Sequence, residues 1–105
     1  MYRKIVFALL FIPLWAWGAV PVADNDTTPE ALYLLGVNYL DGNDSLGIYM
    51  NKEKGVELIR RAAEQGHAQG QYNLGICYSR GEGVTQDYEQ AEYWKNLAIQ
   101  NGYEP

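Results

Sequence analysis

The chain has 105 residues, 48% of them hydrophobic, with 8 basic against 13 acidic residues and a formal net charge of −5. That length holds one small domain, and an acidic chain without a Lys/Arg cluster is poorly matched to nucleic acid, whose binding rests on phosphate neutralisation. One histidine and one cysteine leave no material for a histidine triad with recognisable partners, a zinc cluster or an internal disulfide, so no catalytic residue, metal site or cofactor is expected.

The N-terminus opens with the basic segment Met1-Tyr2-Arg3-Lys4, continues in an apolar run from Ile5 to Leu14, and ends in Trp15-Ala16-Trp17-Gly18-Ala19. Small residues at Ala16 and Gly18 fit the spacing that signal peptidase reads, which predicts a signal peptide over 1–18, cleaved near Gly18, and a periplasmic or secreted product. The competing reading is an uncleaved inner-membrane anchor over residues 5–22, uncharged and just long enough to span. No cysteine stands near the cleavage region, so a lipoprotein is not indicated. Removal of Arg3 and Lys4 leaves 6 basic residues against 13 acidic, net −7, which favours a basic partner. Residues 19–28 read as a flexible linker.

Thr28 then reads as a helix N-cap with Pro29 at the first helical position. The first helix should run from Pro29 to Leu40 and stop at Gly42. In the following loop Asp41, Asn43 and Ser45 mimic the first oxygen positions of a calcium loop, but Leu46 and Lys52 stand where Gly and Glu are required, so turn formation is the ordinary account. Asn51 or Lys52 opens a second helix ending at Gly66. A third spans Ala68 to Arg80, and His67, at the turn before it, is expected to be exposed. Gly81-Glu82-Gly83 lacks the Lys and Ser/Thr of a phosphate loop and reads as an inter-helix turn. Asp87 caps a fourth helix, with Gln90 completing a capping box and Gly102 ending it.

These elements form two copies of one unit. Tyr33, Gly36 and Tyr39 recur as Tyr72, Gly75 and Tyr78, a shift of 39, whereas Leu58, Ala62 and Gly66 recur as Trp94, Ala98 and Gly102, a shift of 36. The difference is a three-residue insertion in one loop. Self-similarity at this period with helical spacing inside each copy marks a helical repeat array. Mid-helix Gly36 and Gly75 would let paired helices approach closely, and the tyrosine, leucine, tryptophan and alanine stripe is core rather than a cofactor box.

The second copy, with Ala68, Gln71-Tyr72-Asn73-Leu74-Gly75, Tyr78, Gly81, Gly83-Val84, Asp87, Ala91, Trp94, Ala98 and Gly102 in their spacing, closely resembles the Sel-one-like repeat, a relative of the tetratricopeptide repeat. The first copy departs from it with Gly55 for the expected Ala and Leu58 for the expected Trp. The resemblance covers residues 29–66 and 67–102, leaving 103–105 as a tail. It implies an all-α, two-repeat helix-turn-helix solenoid of four antiparallel helices, used for protein recognition, usually as an adaptor. Some members carry a disulfide in every repeat; this chain does not.

Two surfaces are candidates. The first helices of the repeats would line an inner groove through Leu34, Val37, Asn38 and Asp41, matched by Asn73, Ile76, Cys77 and Arg80, where spaced apolar anchors could hold a peptide; Val37 and Ile76 read equally as inter-repeat packing, and Cys77 as a buried small hydrophobe. In the last helix Tyr93 and Leu97 replace Glu57 and Arg61, which look like a solvated ion pair, and Ile99 replaces Ala63. Either the tail with Tyr103 folds over that greasy pair, or it serves self-association or a partner. The sequence thus reads as an exported protein-binding adaptor of a bacterial cell envelope that performs no chemistry. Its membrane contact would come only from an uncleaved leader, and homo-oligomers are compatible with it. The competing readings are an immunity or inhibitor protein bound to a toxin or hydrolase, and a small hydrolase or β-lactam-binding protein.

Overall fold

The computed structural model describes residues 27–105, so the expected leader and nearly all of the linker lie outside the described residues. Four helices of 13 residues each follow one another: α1 (Pro29–Asp41), α2 (Lys52–Glu64), α3 (Ala68–Arg80) and α4 (Tyr88–Gln100). α1 packs on α2, α3 on α4, and α2 on α3, which is the expected two-hairpin all-α stack. Among the described residues the extended backbone pairing is one isolated bridge, Asn43 to Ile48, beside a 3₁₀ turn at Asp44–Leu46. That turn occupies the longer loop, residues 42–51, whereas the second repeat makes the same connection with residues 81–87.

Each helix starts where a side chain accepts an otherwise unsatisfied backbone N–H. Thr28 takes it from Ala31 (3.4 Å), Asn51 from Lys54 (3.1 Å), His67 through Nδ1 from Gly70 (3.0 Å), and Asp87 from Glu89 and Gln90 (3.0 and 3.1 Å). The capping box expected at α4 is only half made. The Asp87 N–H that Gln90 would satisfy instead donates to the Tyr78 carbonyl (2.9 Å), and in the first repeat the Asn51 N–H donates to the Tyr39 carbonyl (2.7 Å). In both units a tyrosine at the end of the first helix thus anchors the start of the second. At the far ends Gly66 and Gly102 turn the chain with positive φ of 92° and 97°.

His67 is a correction to the sequence reading, since its side chain is only 15% exposed. The imidazole caps α3 with one nitrogen, lies 3.1 Å from a Glu30 carboxylate oxygen with the other, and sits 4.9 Å from the Tyr33 ring. A turn position alone does not reveal a side chain that folds inward to cap.

The expected close approach at the glycines is present. A Cβ at Gly36 would lie 2.7 Å from Ile59 Cγ1 and 2.8 Å from the Gly55 carbonyl oxygen; one at Gly75 would lie 2.7 Å from Lys95 Cγ and 2.9 Å from the Ala91 carbonyl oxygen. Leu32, Tyr33, Val56, Leu58, Ile59, Ala62, Ala63, Leu74 and Cys77 form one contiguous core. Wholly buried aliphatic side chains such as Ile59 and Leu74 each contribute roughly 1.5–3 kcal/mol. Burial is uneven: α2, covered from both sides, buries six residues, whereas α4 buries only Ala91 and Ala98.

Candidate functional site

The relative position of α1 and α3 is set by polar ties. Asn73 Nδ2 donates to the Tyr33 hydroxyl (2.9 Å), and burial of that phenol raises its pKa while the Asn73 bond works against the rise. Behind it the buried Gln71 donates to the Ala63 carbonyl (3.0 Å) and accepts from Asn101 Nδ2 (2.9 Å). The Asn73 bond thus joins the first helices of the two repeats, while the Gln71 bonds tie α3 to α2 and to the end of α4.

The predicted groove residues divide by exposure. Leu34 is 53% exposed, Asp41 is exposed, and Val37 and Ile76 are half-buried, with Val37 packed against the core. Arg80 is exposed and lies 3.5 Å from Glu82. Asn38 is held in the frame: it donates to the Leu34 carbonyl and accepts from Asn43 (2.7 Å), tying the long loop to α1. Asn73 is likewise engaged with Tyr33. Cys77 lies in the core at 3% exposure, so its thiol does not line the groove; burial, reinforced by Glu82, pushes its pKa up to about 11. Of the predicted set, Leu34, Asp41 and Arg80 remain exposed, and Val37 and Ile76 half-buried.

A cleft absent from the sequence reading opens between α2 and the start of α4, about 570 Å³ in volume, lined by Arg60, Tyr78, Val84, Gln86, Asp87 and Gln90. Arg60 donates to the Tyr78 hydroxyl (2.7 Å) and lies over its ring. Tyr78 carried a signal as a motif position, but Arg60 had none, because the pair joins different repeats.

On α4, Tyr93 is 57% exposed, Ile99 50% and Leu97 half-buried. Tyr93 meets Trp94 edge-on at 5.1 Å. The tail does not take the course of folding over Tyr93: Tyr103 stacks on Tyr72 with centroids 4.4 Å apart. Nor do Glu57 and Arg61 form an ion pair; those among the described residues are Lys52–Glu82, His67–Glu30 and Arg80–Glu82. The flank of α2 that receives the second repeat is another one. It carries Val56, 2.7 Å from where a Cβ of Gly83 would lie, together with Arg60 and the Ala63 carbonyl. Thirty-six residues on, its counterparts are Glu92, Asn96 and Ile99.

Among the described residues no helix is long and apolar enough to cross a membrane, and no cluster of three or more metal-ligating side chains occurs. The family description "Sel1 repeat" matches residues 29–67 and 68–103. The chain belongs to the Sel1 repeat family. Its Sel1 repeats are similar to those of a Sel1 repeat protein from Oxalobacter formigenes, at TM-score 0.67 and 34% identity over 73% of this chain and 21% of that one. They are also similar to a protective antigen of uropathogenic Escherichia coli displaying an SLR fold, at TM-score 0.68 and 40% identity over 73% of this chain and 16% of that one. Curated relatives include chitin synthase regulatory factor 2 of Schizosaccharomyces pombe, 40% identical over 62% of this chain and 12% of the relative. Another is an exopolysaccharide production negative regulator of Rhizobium leguminosarum, 44% identical over 51% of this chain and 20% of the relative. The chain therefore spans a fifth or less of these two relatives. As a Sel1 repeat unit it is a protein-interaction module.

Proposed function

We propose that this Sel1 repeat chain is an exported adaptor of a bacterial cell envelope that binds a segment of another protein across α1 and α3 and catalyses no reaction. The observation that supports a binding role for the first helices is Leu34, an apolar side chain left 53% exposed on α1, which the Tyr33–Asn73 bond joins to α3. The half-buried Ile76 offers a second apolar anchor on α3, and the exposed Asp41 and Arg80 close the C-terminal ends of the two helices. The net charge of −7 left once Arg3 and Lys4 are removed with the leader favours a partner with basic residues. The names of the two regulatory relatives support action through binding rather than chemistry. Export rests on the basic start, apolar run and small residues of the first 18 positions; a second copy of the chain is among the partners this reading admits.

The test is affinity capture from an envelope fraction with the wild-type chain and with Leu34→Glu and Ile76→Glu variants. A protein retained by the wild type and lost from both variants, at unchanged helix content, supports the reading. A captured protein that both variants retain overturns the face. Inhibition of a captured toxin or hydrolase would move the assignment to an immunity or inhibitor role, and hydrolysis by the purified chain above background would overturn the non-catalytic reading. Fusion of the first 22 residues to a reporter active only outside the cytoplasm tests export, which fails if the fusion stays silent.

A further inference from the structure

We infer that α4 pairs with α4 of a second copy, antiparallel and two-fold symmetric, through Tyr88, Glu92, Lys95 and Ile99 rather than through Tyr93 and Leu97. This deepens the self-association admitted above and is independent of what the α1–α3 face holds. The argument starts from an interface already present in the molecule. On α2 the flank of Lys52, Val56, Arg60 and Ala63 is where the second repeat sits: Lys52 reaches Glu82, Gly83 lies against the Lys52 carbonyl and Val56, Arg60 bonds Tyr78, and Ala63 accepts from Gln71. The same flank of α4 reads Tyr88, Glu92, Asn96 and Ile99, all exposed, with Tyr88 at 67% and Ile99 at 50%.

A further unit docked as α3 docks on α2 would not fit there. The small Ala63 has become Ile99, and Val56, against which Gly83 packs, has become the charged Glu92. A copy of the same helix does fit. Tyr88 against Ile99 and Glu92 against Lys95 share one point of symmetry, midway between Tyr93 and Trp94, as an isologous contact requires. Each apolar side chain then meets the other, and each carboxylate meets an ammonium, twice over. Lys95 is half-buried with its stem over Gly75, and neither it nor Glu92 has an ion-pair partner among the described residues. A helix of this length is ~20 Å long, and one such pair covers less than the ~1,200 Å² of a standard interface. The dimer should therefore be weak and concentration-dependent.

Sedimentation of the full chain over a range of concentrations tests this, with circular dichroism and thermal melting as the fold control. The wild type should shift from monomer to dimer with concentration, while Ile99→Glu and Glu92→Lys should each remain monomeric with unchanged helix content. Combining Glu92→Lys with Lys95→Glu should restore the dimer, because the charges still alternate across the symmetry point. Tyr93→Glu, on the other flank, should dimerise like the wild type. A wild type that is monomeric throughout, single variants that associate unchanged, a folded double variant that stays monomeric, or loss of the dimer in Tyr93→Glu would each overturn the inference.

Discussion

Gly36 and Gly55 face each other across the crossing of α1 and α2: a Cβ on either would lie 2.8 Å from the carbonyl oxygen of the other. In the second repeat the same crossing is made by Gly75 and Ala91, so the first hairpin is closed by two bare backbones and the second by one. Gly55, a departure from the repeat pattern when read as sequence, is thus the counterpart that the tighter hairpin requires.

Gly55→Ala, which restores the residue found at the equivalent position of the second repeat, should therefore destabilise. Alanine gains about 1 kcal/mol of helix propensity over glycine. Against that, its Cβ would meet the Gly36 oxygen at 2.8 Å and the Leu40 nitrogen at 2.9 Å, both backbone atoms that cannot rotate away, and such overpacking costs roughly 1–3 kcal/mol. The expected net loss is about 1 kcal/mol, a fall in Tm of roughly 4–8 °C in a domain of this size. A rise in Tm on thermal melting would show that the hairpin opens without cost.

Gln71 is 2% exposed and belongs to no apolar stripe, yet both ends of its amide are engaged, with Ala63 on α2 and Asn101 after α4. Gln71→Ala leaves Asn101 without this acceptor and opens a void, so a loss of about 2–3 kcal/mol is expected in denaturant unfolding. Asn101→Ala, at the more exposed end of the chain, should cost less. A double-mutant cycle should show coupling between the two; additivity would mean that the 2.9 Å contact contributes nothing.

Tyr103 on Tyr72 repeats the relation of His67 to Tyr33, one ring from the turn after each second helix laid over a tyrosine of the first helix. Tyr103→Ala should uncover Tyr72 and lower stability by about 0.5–1.5 kcal/mol, with tyrosine near-ultraviolet dichroism reporting the lost stack. If melting is unchanged, the stack adds nothing to the fold.

What was legible in the sequence was whatever repeats at helical spacing. The mid-helix glycines, the caps at Thr28, Asn51 and Asp87, and the turn glycines each declare a local backbone requirement. The ties between units were not legible: Asn73 to Tyr33 spans 40 positions, Arg60 to Tyr78 spans 18, and no periodicity links them. The same limit explains the face chosen on α4. Aligning the copies shows that Tyr93 and Leu97 replace charged residues, but only the packing of α3 shows that the receiving flank of α2 runs through Val56, Arg60 and Ala63.

Burial of Cys77 makes a prediction in alkali. Its folded pKa, pushed up to about 11, lies above the ordinary value of 9.0, so between these the unfolded chain has released a proton that the folded chain retains. Stability is then fully present below pH 9.0 and lost as pH rises through about 11. Tyr33, also raised by burial, acts in the same direction. Equilibrium unfolding of the wild type should weaken across this window, and Cys77→Ala should show a shallower decline because one of the two groups is gone. Below pH 9 the thiol of the folded protein should react slowly with an alkylating reagent, both because it is shielded and because it is protonated. Rapid alkylation at neutral pH without loss of helix content would contradict the burial from which the pH dependence follows.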